Sequence, residues 1–347
     1  MKRFKLILAA AAIAASALPA SPCSRVVYLA ADSSEVIVGR TLDWRTPIAT
    51  NLYVYPAGMS KQSMPKGPML RWTSKYGSVL AVGYDGGVTE GMNACGLVMN
   101  GLFCKTSEYR TESNSPAGTP VMSLSVMISY FLDNFATVEE VYDWFGKHDL
   151  AISGQTFDGG TVSLLHWALT DRSGDTMVIE YDHGKVNLYR GRDLQVMTND
   201  PTLPQMQAID AYWKGVGGEH MLPGTVRSAD RFVRASFFIH HIPDNLKGDV
   251  AVSALATVMD NVSVPYGYTI QGEPNVSMTQ WRSMADLQRL RYYLRFADTL
   301  GNFWVDLSSL SLTPGSPVLK LDTSRNRAFY GCANDRLRAS EPFTPMW

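Results

Sequence analysis

The first 22 residues constrain this chain most, because they decide where the folded protein begins. They read MKRFKLILAAAAIAASALPASP, with basic residues first, then an apolar stretch from Leu6 to about Ala17, then small residues and prolines. The apolar stretch is shorter than the roughly 20 residues that span a bilayer, and the whole pattern is typical of a secretory signal peptide. We therefore expect export to the periplasm or beyond, removal of residues 1–22, and no stable membrane anchor.

Cys23 would then begin the mature chain, and three interpretations of it compete. A lipoprotein signal requires an aliphatic residue three places before the cysteine, where Ala20 stands. A disulfide suits an oxidising compartment, with Cys95, Cys104 or Cys332 as the partner. In the third interpretation Cys23 is a nucleophile. Its freed α-amine, with a reference pKa of about 8, takes the thiol proton without a histidine.

The composition is that of a globular protein, with 46% hydrophobic and 18% charged residues. These proportions exclude disordered and collagen-like chains. The chain has 31 basic and 32 acidic residues, and three of the basic ones, Lys2, Arg3 and Lys5, lie in the segment expected to be removed. Such a balance supplies no basic surface for nucleic acid, which we therefore exclude as a partner.

Alternation of apolar and polar residues predicts a chain rich in strands. The run RVVYLAADSSEVIVGRTLDW after Cys23 predicts a hairpin that turns at 32–34, and GMNACG at 91–96 predicts a turn. Further strands are predicted at 52–56, 71–76, 78–84, 96–103, 163–171, 176–181, 185–188, 195–198, 280–283, 291–296 and 302–306. Helices are predicted over 120–131, 137–147, about 205–214, 229–239 and 250–262. This order predicts an α+β fold with layered sheets covered by helices, and without a linker we expect residues 23–347 to form a single domain.

Four polar residues are candidates for chemistry beside Cys23. Arg40 and Asp43, in GRTLDW, end the strand that pairs with the one following Cys23, where they could stabilise the thiolate and hold the α-ammonium. The alternative for such a pair is a surface ion pair. Asn199, in VMTNDP, can donate its amide to an oxyanion or simply cap a turn. Arg231 lies in the first turn of a predicted helix, where a cation opposes the dipole and so favours a carboxylate partner or a role in a site.

Motifs for cofactors are missing from the sequence. None of the six histidines is spaced with a carboxylate as metal ligands are, and HExxH, CxxC, P-loop and GxGxxG motifs are lacking. The GxSxG serine elbow and the flanking pattern of papain-like enzymes are lacking as well. We expect neither a metal nor another cofactor.

Five features, taken together, resemble the choloylglycine hydrolase family, which comprises bile salt hydrolases and penicillin V acylases among the N-terminal nucleophile hydrolases. They are Cys23, GRTLDW at 39–44, GMNACGL at 91–97, VMTNDP at 196–201 and LPGTVRSADRFVRASF at 222–237. They occur in order along nearly the whole chain, and the export signal is similar to that of the Gram-negative branch. The resemblance implies a four-layer αββα sandwich, often a homotetramer, that hydrolyses a linear amide bond.

The resemblance also assigns site residues. The family's nucleophile, thiol-contacting arginine, amine-holding aspartate, oxyanion asparagine and second arginine fall on Cys23, Arg40, Asp43, Asn199 and Arg231. A sixth family position, an Asn or a Tyr, aligns near Phe103, so the usual side-chain indication of substrate is lost, although a backbone N–H there could complete the oxyanion hole. We expect Trp44 and Phe103 to contact the substrate.

The expected substrate is a small-molecule amide with an apolar acyl group. Conjugated bile salts, cleaved to a bile acid and glycine or taurine, are the first expectation. Penicillin V and N-acyl homoserine lactones are the alternatives, because they too join an apolar acyl group to a small polar amine. A different class remains open, namely an inactive secreted binding protein in which Cys23 is bridged or lipidated.

Overall fold

The computed structural model describes residues 23–157, 160–270, 277–324 and 327–347, so the predicted export segment at 1–22 lies outside the described residues. The strands are β1 (Ser24–Leu29), β2 (Val36–Trp44), β3 (Thr50–Tyr55), β4 (Ser60–Gln62), β5 (Arg71–Thr73), β6 (Ser78–Gly83), β7 (Gly87–Asn93), β8 (Val98–Phe103), β9 (Val121–Ser123), β10 (Ala151–Ser153), β11 (Thr156–Phe157), β12 (Thr161–Val162), β13 (Leu165–Thr170), β14 (Thr176–Asp182), β15 (Lys185–Arg190), β16 (Val196–Met197), β17 (Met278–Asp286), β18 (Arg291–Phe296), β19 (Asn302–Asp306), β20 (Leu319–Leu321), β21 (Tyr330–Cys332) and β22 (Arg338–Ala339).

The helices are α1 (Leu124–Asn134), α2 (Val138–Phe145), α3 (Leu203–Val216), α4 (Ser228–Ile239) and α5 (Gly248–Asn261). Short 3-10 turns occur at Glu112–Asn114, Leu307–Ser309 and Asn334–Arg336. Across the described part of the chain, no helix combines the length and the apolar character needed to cross a bilayer.

Two large sheets contain most of the strands. One has seven strands in the order β16-β1-β2-β17-β18-β19-β21, and the other has nine in the order β15-β14-β13-β8-β7-β6-β3-β20-β22. The hairpin predicted after Cys23 is confirmed as the antiparallel pair of β1 and β2, in which Ser24 lies opposite Thr41. This pair lies inside the seven-stranded sheet, so the residues around Cys23 have strands on both sides.

Three buried clusters define four layers. Apolar residues of α1 and α2 pack on the nine-stranded sheet, and those of α3, α4 and α5 pack on the seven-stranded sheet. The third cluster lies between the sheets and includes Val27, Val79 and Trp281. The two-residue period of β1 explains the division, because Val26 and Tyr28 face the helices while Val27 faces the other sheet. The predicted αββα sandwich is confirmed.

Most predicted elements are present, and the differences have local causes. The helix predicted over 120–131 is wrong in its first turn, because Val121–Ser123 forms β9 and pairs in parallel with β10. Helix α1 begins after Ser123, whose hydroxyl caps it by accepting the N–H of Ser125. The turn predicted at 91–96 starts too early, since β7 extends to Asn93. The short strands β4, β9 to β12 and β20 to β22 are too brief to show a period in the sequence.

Gly91 tests how closely α1 packs on the nine-stranded sheet. A Cβ atom there would lie 2.5 Å from the backbone oxygen of Val79 and 3.0 Å from Leu132 Cδ1 on α1. We expect Gly91→Ala to lower the free energy of unfolding by about 1–3 kcal/mol, because strand and helix must move apart. The control is Gly224→Ala, where a Cβ meets nothing within 4 Å. Urea denaturation of both variants checks this, and equal midpoints would contradict it.

Candidate active site

Cys23 lies directly before β1 and is 4% exposed. Its thiol donates to the backbone carbonyl of Asp43, with 3.7 Å between sulfur and oxygen, and Arg40 Nη2 lies 3.9 Å from Sγ. Both residues are on β2, the hairpin partner of β1, and residues three apart on a strand project from opposite faces. Arg40 thus contacts Cys23 through its side chain, whereas Asp43 contacts it through its backbone carbonyl.

Asn199 follows β16 and connects Cys23 to the neighbouring sheet. Its Oδ1 accepts the backbone N–H of Cys23 at 2.7 Å, and its Nδ2 donates to the backbone carbonyl of Phe103 at 2.7 Å. We expected Asp43 at the Cys23 nitrogen, so the structure differs from the sequence interpretation here. In the chain that still includes residue 22, the Cys23 nitrogen is part of a peptide bond and carries no charge. The Asp43 carboxylate therefore has no ammonium group to bind there.

Arg231, near the start of α4, is 1% exposed and donates hydrogen bonds to both Cys23 and Asn199. Its Nη1 donates to the carbonyl of Cys23 at 2.5 Å and to the hydroxyl of Ser24 at 2.6 Å. Its Nη2 donates to Asn199 Oδ1 at 2.7 Å. The guanidinium thus holds the start of β1 and the side chain of Asn199 in one geometry, and its charge favours the ionised form of the Cys23 thiol.

Glu90 on β7 is a buried partner of Arg40 that the sequence analysis missed. Arg40 Nη1 lies 3.0 Å from Glu90 Oε2, and both side chains are almost wholly buried. The carboxylate also accepts from Asn100, Ser283 and Tyr292. The sequence does contain a signal for it. Glu90 is the one acidic residue of the strand GVTEGMN, and a charge in a buried strand needs a partner of opposite charge.

The peptide group that joins Thr198 to Asn199 is held at both ends. His166 Nε2 lies 2.7 Å from the Thr198 oxygen, and the Asn199 N–H donates to Ser228 Oγ at 2.9 Å. His166 Nδ1 lies 3.2 Å from a Glu180 carboxylate oxygen. With both ring nitrogens facing acceptors, His166 orients the backbone that carries Asn199. The sequence analysis missed His166, because these residues come from four separate segments.

Burial dominates the ionisation of the site. Burial raises the pKa of the Cys23 thiol, and the opposing attraction of Arg40 does not cancel this effect. Burial also raises the pKa of Asp43 to about 6, although Arg231, Thr279 and Thr41 favour its charged form. Asp43 Oδ2 accepts from the Thr41 hydroxyl at 3.1 Å, whereas Oδ1 has no hydrogen-bond partner among the described residues. The Cys23 environment therefore favours the protonated thiol over the thiolate.

An apolar cavity opens at Cys23. It is lined by Cys23, Arg40, Leu42, Asp43, Trp44, Ile48, Tyr84, Val88, Phe103, Leu124, Phe157, Leu165 and Met346, among others. The Trp44 ring lies 5.4 Å from those of both Phe103 and Phe157, so the wall next to the thiol is aromatic. The structure brings the two predicted substrate contacts, Trp44 and Phe103, to this wall.

The four cysteines Cys23, Cys95, Cys104 and Cys332 are all free thiols in the structure, so the disulfide interpretation of Cys23 is wrong for this structure. Among the described residues, Glu108, Asp182 and His183 form a cluster of side chains with metal-ligand spacing. All three are exposed, and the cavity at Cys23 does not include them.

The raised pKa of Asp43 makes a prediction about stability in the unprocessed chain. A carboxyl whose folded pKa is about 6 keeps a proton that the unfolded chain releases at about pH 4, so stability falls as pH rises from about 4 to 6. We expect Asp43→Asn to be as stable as wild type at pH 4 and more stable by about 1–3 kcal/mol at pH 8.

Urea unfolding at both pH values measures this difference. The matched control is Asp335→Asn, which changes an exposed aspartate and should leave the pH dependence unaltered. Parallel pH profiles for wild type and Asp43→Asn would show that the folded chain does not hold the extra proton.

Comparison with known proteins agrees with this geometry. Residues 23–326 match the model of the linear amide C–N hydrolases, choloylglycine hydrolase family. The chain is 35% identical to the penicillin V acylase of Pectobacterium atrosepticum, over 99% of this chain and 97% of that protein. It is 27% identical to the bile salt hydrolase/transferase of Clostridium perfringens, over 64% of this chain and 74% of that protein.

Solved structures give the same family. The penicillin V acylase from Agrobacterium tumefaciens superposes with a TM-score of 0.85 and 40% identity, covering 93% of this chain and 99% of that one. A variant of the conjugated bile acid hydrolase from Clostridium perfringens has a TM-score of 0.73 and 20% identity, covering 88% and 98%, and shares the fold. The chain therefore belongs to the choloylglycine hydrolase family of linear amide C–N hydrolases.

Proposed function

We propose that Cys23, once it is the first residue of the chain, is the nucleophile that cleaves the linear amide, and that the acyl group of the substrate is apolar and aromatic. The observation that carries the proposal is the position of the Cys23 thiol. Cys23 lines an apolar cavity, with Arg40 Nη2 3.9 Å from its sulfur and Asn199 Oδ1 2.7 Å from its nitrogen.

The raised pKa of the Cys23 thiol supports a role for the freed α-amine as the base. Because the pKa of the thiol is raised, attack requires a base beside Cys23. Removal of residues 1–22 turns the neutral nitrogen of Cys23 into an amine with a reference pKa of about 8, which suits a base at neutral pH. The unpaired Oδ1 of Asp43 is a suitable acceptor for the ammonium form, whose charge would also favour the ionised carboxylate.

The reaction then proceeds in two steps. The sulfur forms a bond to the amide carbonyl carbon while the α-amine takes the thiol proton. Asn199 Nδ2 keeps one hydrogen on Phe103 and donates the other to the oxyanion, since an amide nitrogen carries two donors. The C–N bond breaks as the ammonium protonates the leaving amine. Water, deprotonated by the same amine, attacks the thioester and releases the acid and the free thiol.

Penicillin V fits the cavity better than the conjugated bile salts that the sequence placed first. Its phenoxyacetyl group offers a flat ring to the aromatic wall of Trp44, Phe103 and Phe157, and offset or tilted ring contacts are favourable at such distances. The relatives named penicillin V acylases are 35% and 40% identical to this chain, whereas those named for bile salts are 27% and 20% identical. Bile salts and N-acyl homoserine lactones are the competing substrates.

We also propose that the protein is exported and that residues 1–22 are removed on the way, because their basic, apolar and small-residue regions follow in the order of a signal peptide. Intact-mass measurement of exported protein tests this. A first residue at Cys23 with a free thiol supports the proposal, and retained Ser21–Pro22 or added lipid mass contradicts it. The homotetramer stays a prediction from the family resemblance, and light scattering measures it.

The central prediction concerns Cys23 and Asn199. We expect Cys23→Ala to abolish turnover of penicillin V, and Asn199→Ala to lower kcat by about 10²–10³ because one oxyanion donor is lost. The matched control is Cys332→Ala, which removes an exposed thiol on β21 and should retain wild-type turnover.

Release of amine from penicillin V, glycocholate, taurocholate and a long-chain acyl homoserine lactone is the measurement, on protein that begins at Cys23. Turnover by Cys23→Ala would overturn the nucleophile. A wild-type protein that binds these amides and releases none would instead be the inactive binding protein.

A further inference from the structure

Met346 belongs to the cavity at Cys23 although it lies more than 300 residues away in sequence. Three hydrogen bonds fix its backbone. Its N–H donates to the carbonyl of Gly86 at 2.9 Å, and its carbonyl accepts from the hydroxyls of Ser125 at 2.7 Å and Ser123 at 3.3 Å. The residue is thus tied to the turn before β7 on one side and to the start of α1 on the other.

The glycines at 86 and 87 make room for the Met346 side chain. A Cβ on Gly86 would lie 2.7 Å from Met346 Cγ, which is too close for two carbon atoms. A Cβ on Gly87 would lie 3.5 Å from Met346 Cε, at ordinary contact distance. A larger residue at position 86 would therefore displace the methionine, so the wall that it forms depends on this turn.

Phe343 anchors the same segment three residues earlier. Its ring lies 5.9 Å from that of Tyr53 and 6.1 Å from that of Tyr55, edge-on in both cases. Its N–H donates to the Tyr55 hydroxyl at 3.0 Å. Because residues 343 and 346 are both held, the chain between them cannot swing away from the cavity without breaking these contacts.

We infer that Met346 is a specificity-determining residue, which limits the length of the acyl group that the cavity accepts. The inference rests on the proposed function, because the cavity is taken as the acyl site. Leu124 and Val88 line the cavity as well, so an acyl chain there meets an apolar wall. Met346 is unbranched and adaptable, and its side chain fills space that a longer acyl group would need.

Substitution of Met346 in both directions tests the inference. Met346→Ala removes Cγ, Sδ and Cε and should favour longer acyl chains, whereas Met346→Phe should favour shorter ones. The measurement is kcat/KM for acyl homoserine lactones with acyl chains of six to twelve carbons, which share one leaving amine. We expect the ratio of the twelve-carbon to the six-carbon substrate to rise by about tenfold in Met346→Ala and to fall in Met346→Phe, since one methylene in an apolar pocket is worth about tenfold or more.

The control is Trp347→Ala, the next residue, which is exposed and outside the cavity lining. It should keep the wild-type ratio. Circular dichroism verifies that each variant is folded. If wild type hydrolyses the series but both Met346 variants keep its ratio, the inference is wrong while the proposed function stands.

If wild type hydrolyses none of these lactones, kinetics cannot compare the variants, and if it also releases no amine from penicillin V or the bile salts, the proposed function fails. Titration calorimetry then decides the inference separately, with the same lactones and Cys23→Ala protein. Affinity that shifts toward the longer chain in the Cys23→Ala/Met346→Ala double variant supports it, and an unchanged preference overturns it.

Discussion

The structure around Cys23 depends on one buried guanidinium. Arg231 binds the carbonyl of Cys23, the hydroxyl of Ser24 and the side-chain oxygen of Asn199. These acceptors come from the first strand and from the segment after β16, which are paired at the edge of the seven-stranded sheet. A buried arginine is stable only when acceptors surround it, and here those acceptors let one charge hold the two segments together.

A second buried arginine is balanced differently. Arg40 approaches the sulfur of Cys23 and is paired at 3.0 Å with Glu90 in the facing sheet. Burial still raises the pKa of the thiol, because the attraction of Arg40 is smaller than the cost of burying the thiolate. An N-terminal cysteine does not need a preformed thiolate if its own amine accepts the proton. The arrangement therefore suits a nucleophile that becomes competent when the peptide bond before it is cut.

The cavity combines walls of different origin. Next to the thiol, Trp44 and Phe103 end strands of the two facing sheets, and the sandwich itself brings these strand ends together. Further along the wall, Met346 is held by contacts with a turn and a helix start rather than by a sheet ladder. Cys23 and Asn199 thus lie at the ends of paired strands, whereas Met346 lies on an irregular segment near the C-terminus.

The sequence by itself determined most of the order of the longer strands and helices, the layered α+β class, and the four polar residues beside Cys23, because alternation and motif order are local properties. The hairpin predicted after Cys23 places the end of its second strand, with Arg40 and Asp43, beside Cys23, and the observed pairing of β1 with β2 agrees. Only the tertiary structure decided the rest. Glu90, His166 and Met346 join the site from distant segments, and the partner of the Cys23 nitrogen proved to be Asn199. Such contacts follow from the packing of two sheets, and a pattern along one chain carries no information on which of its distant residues that packing brings together.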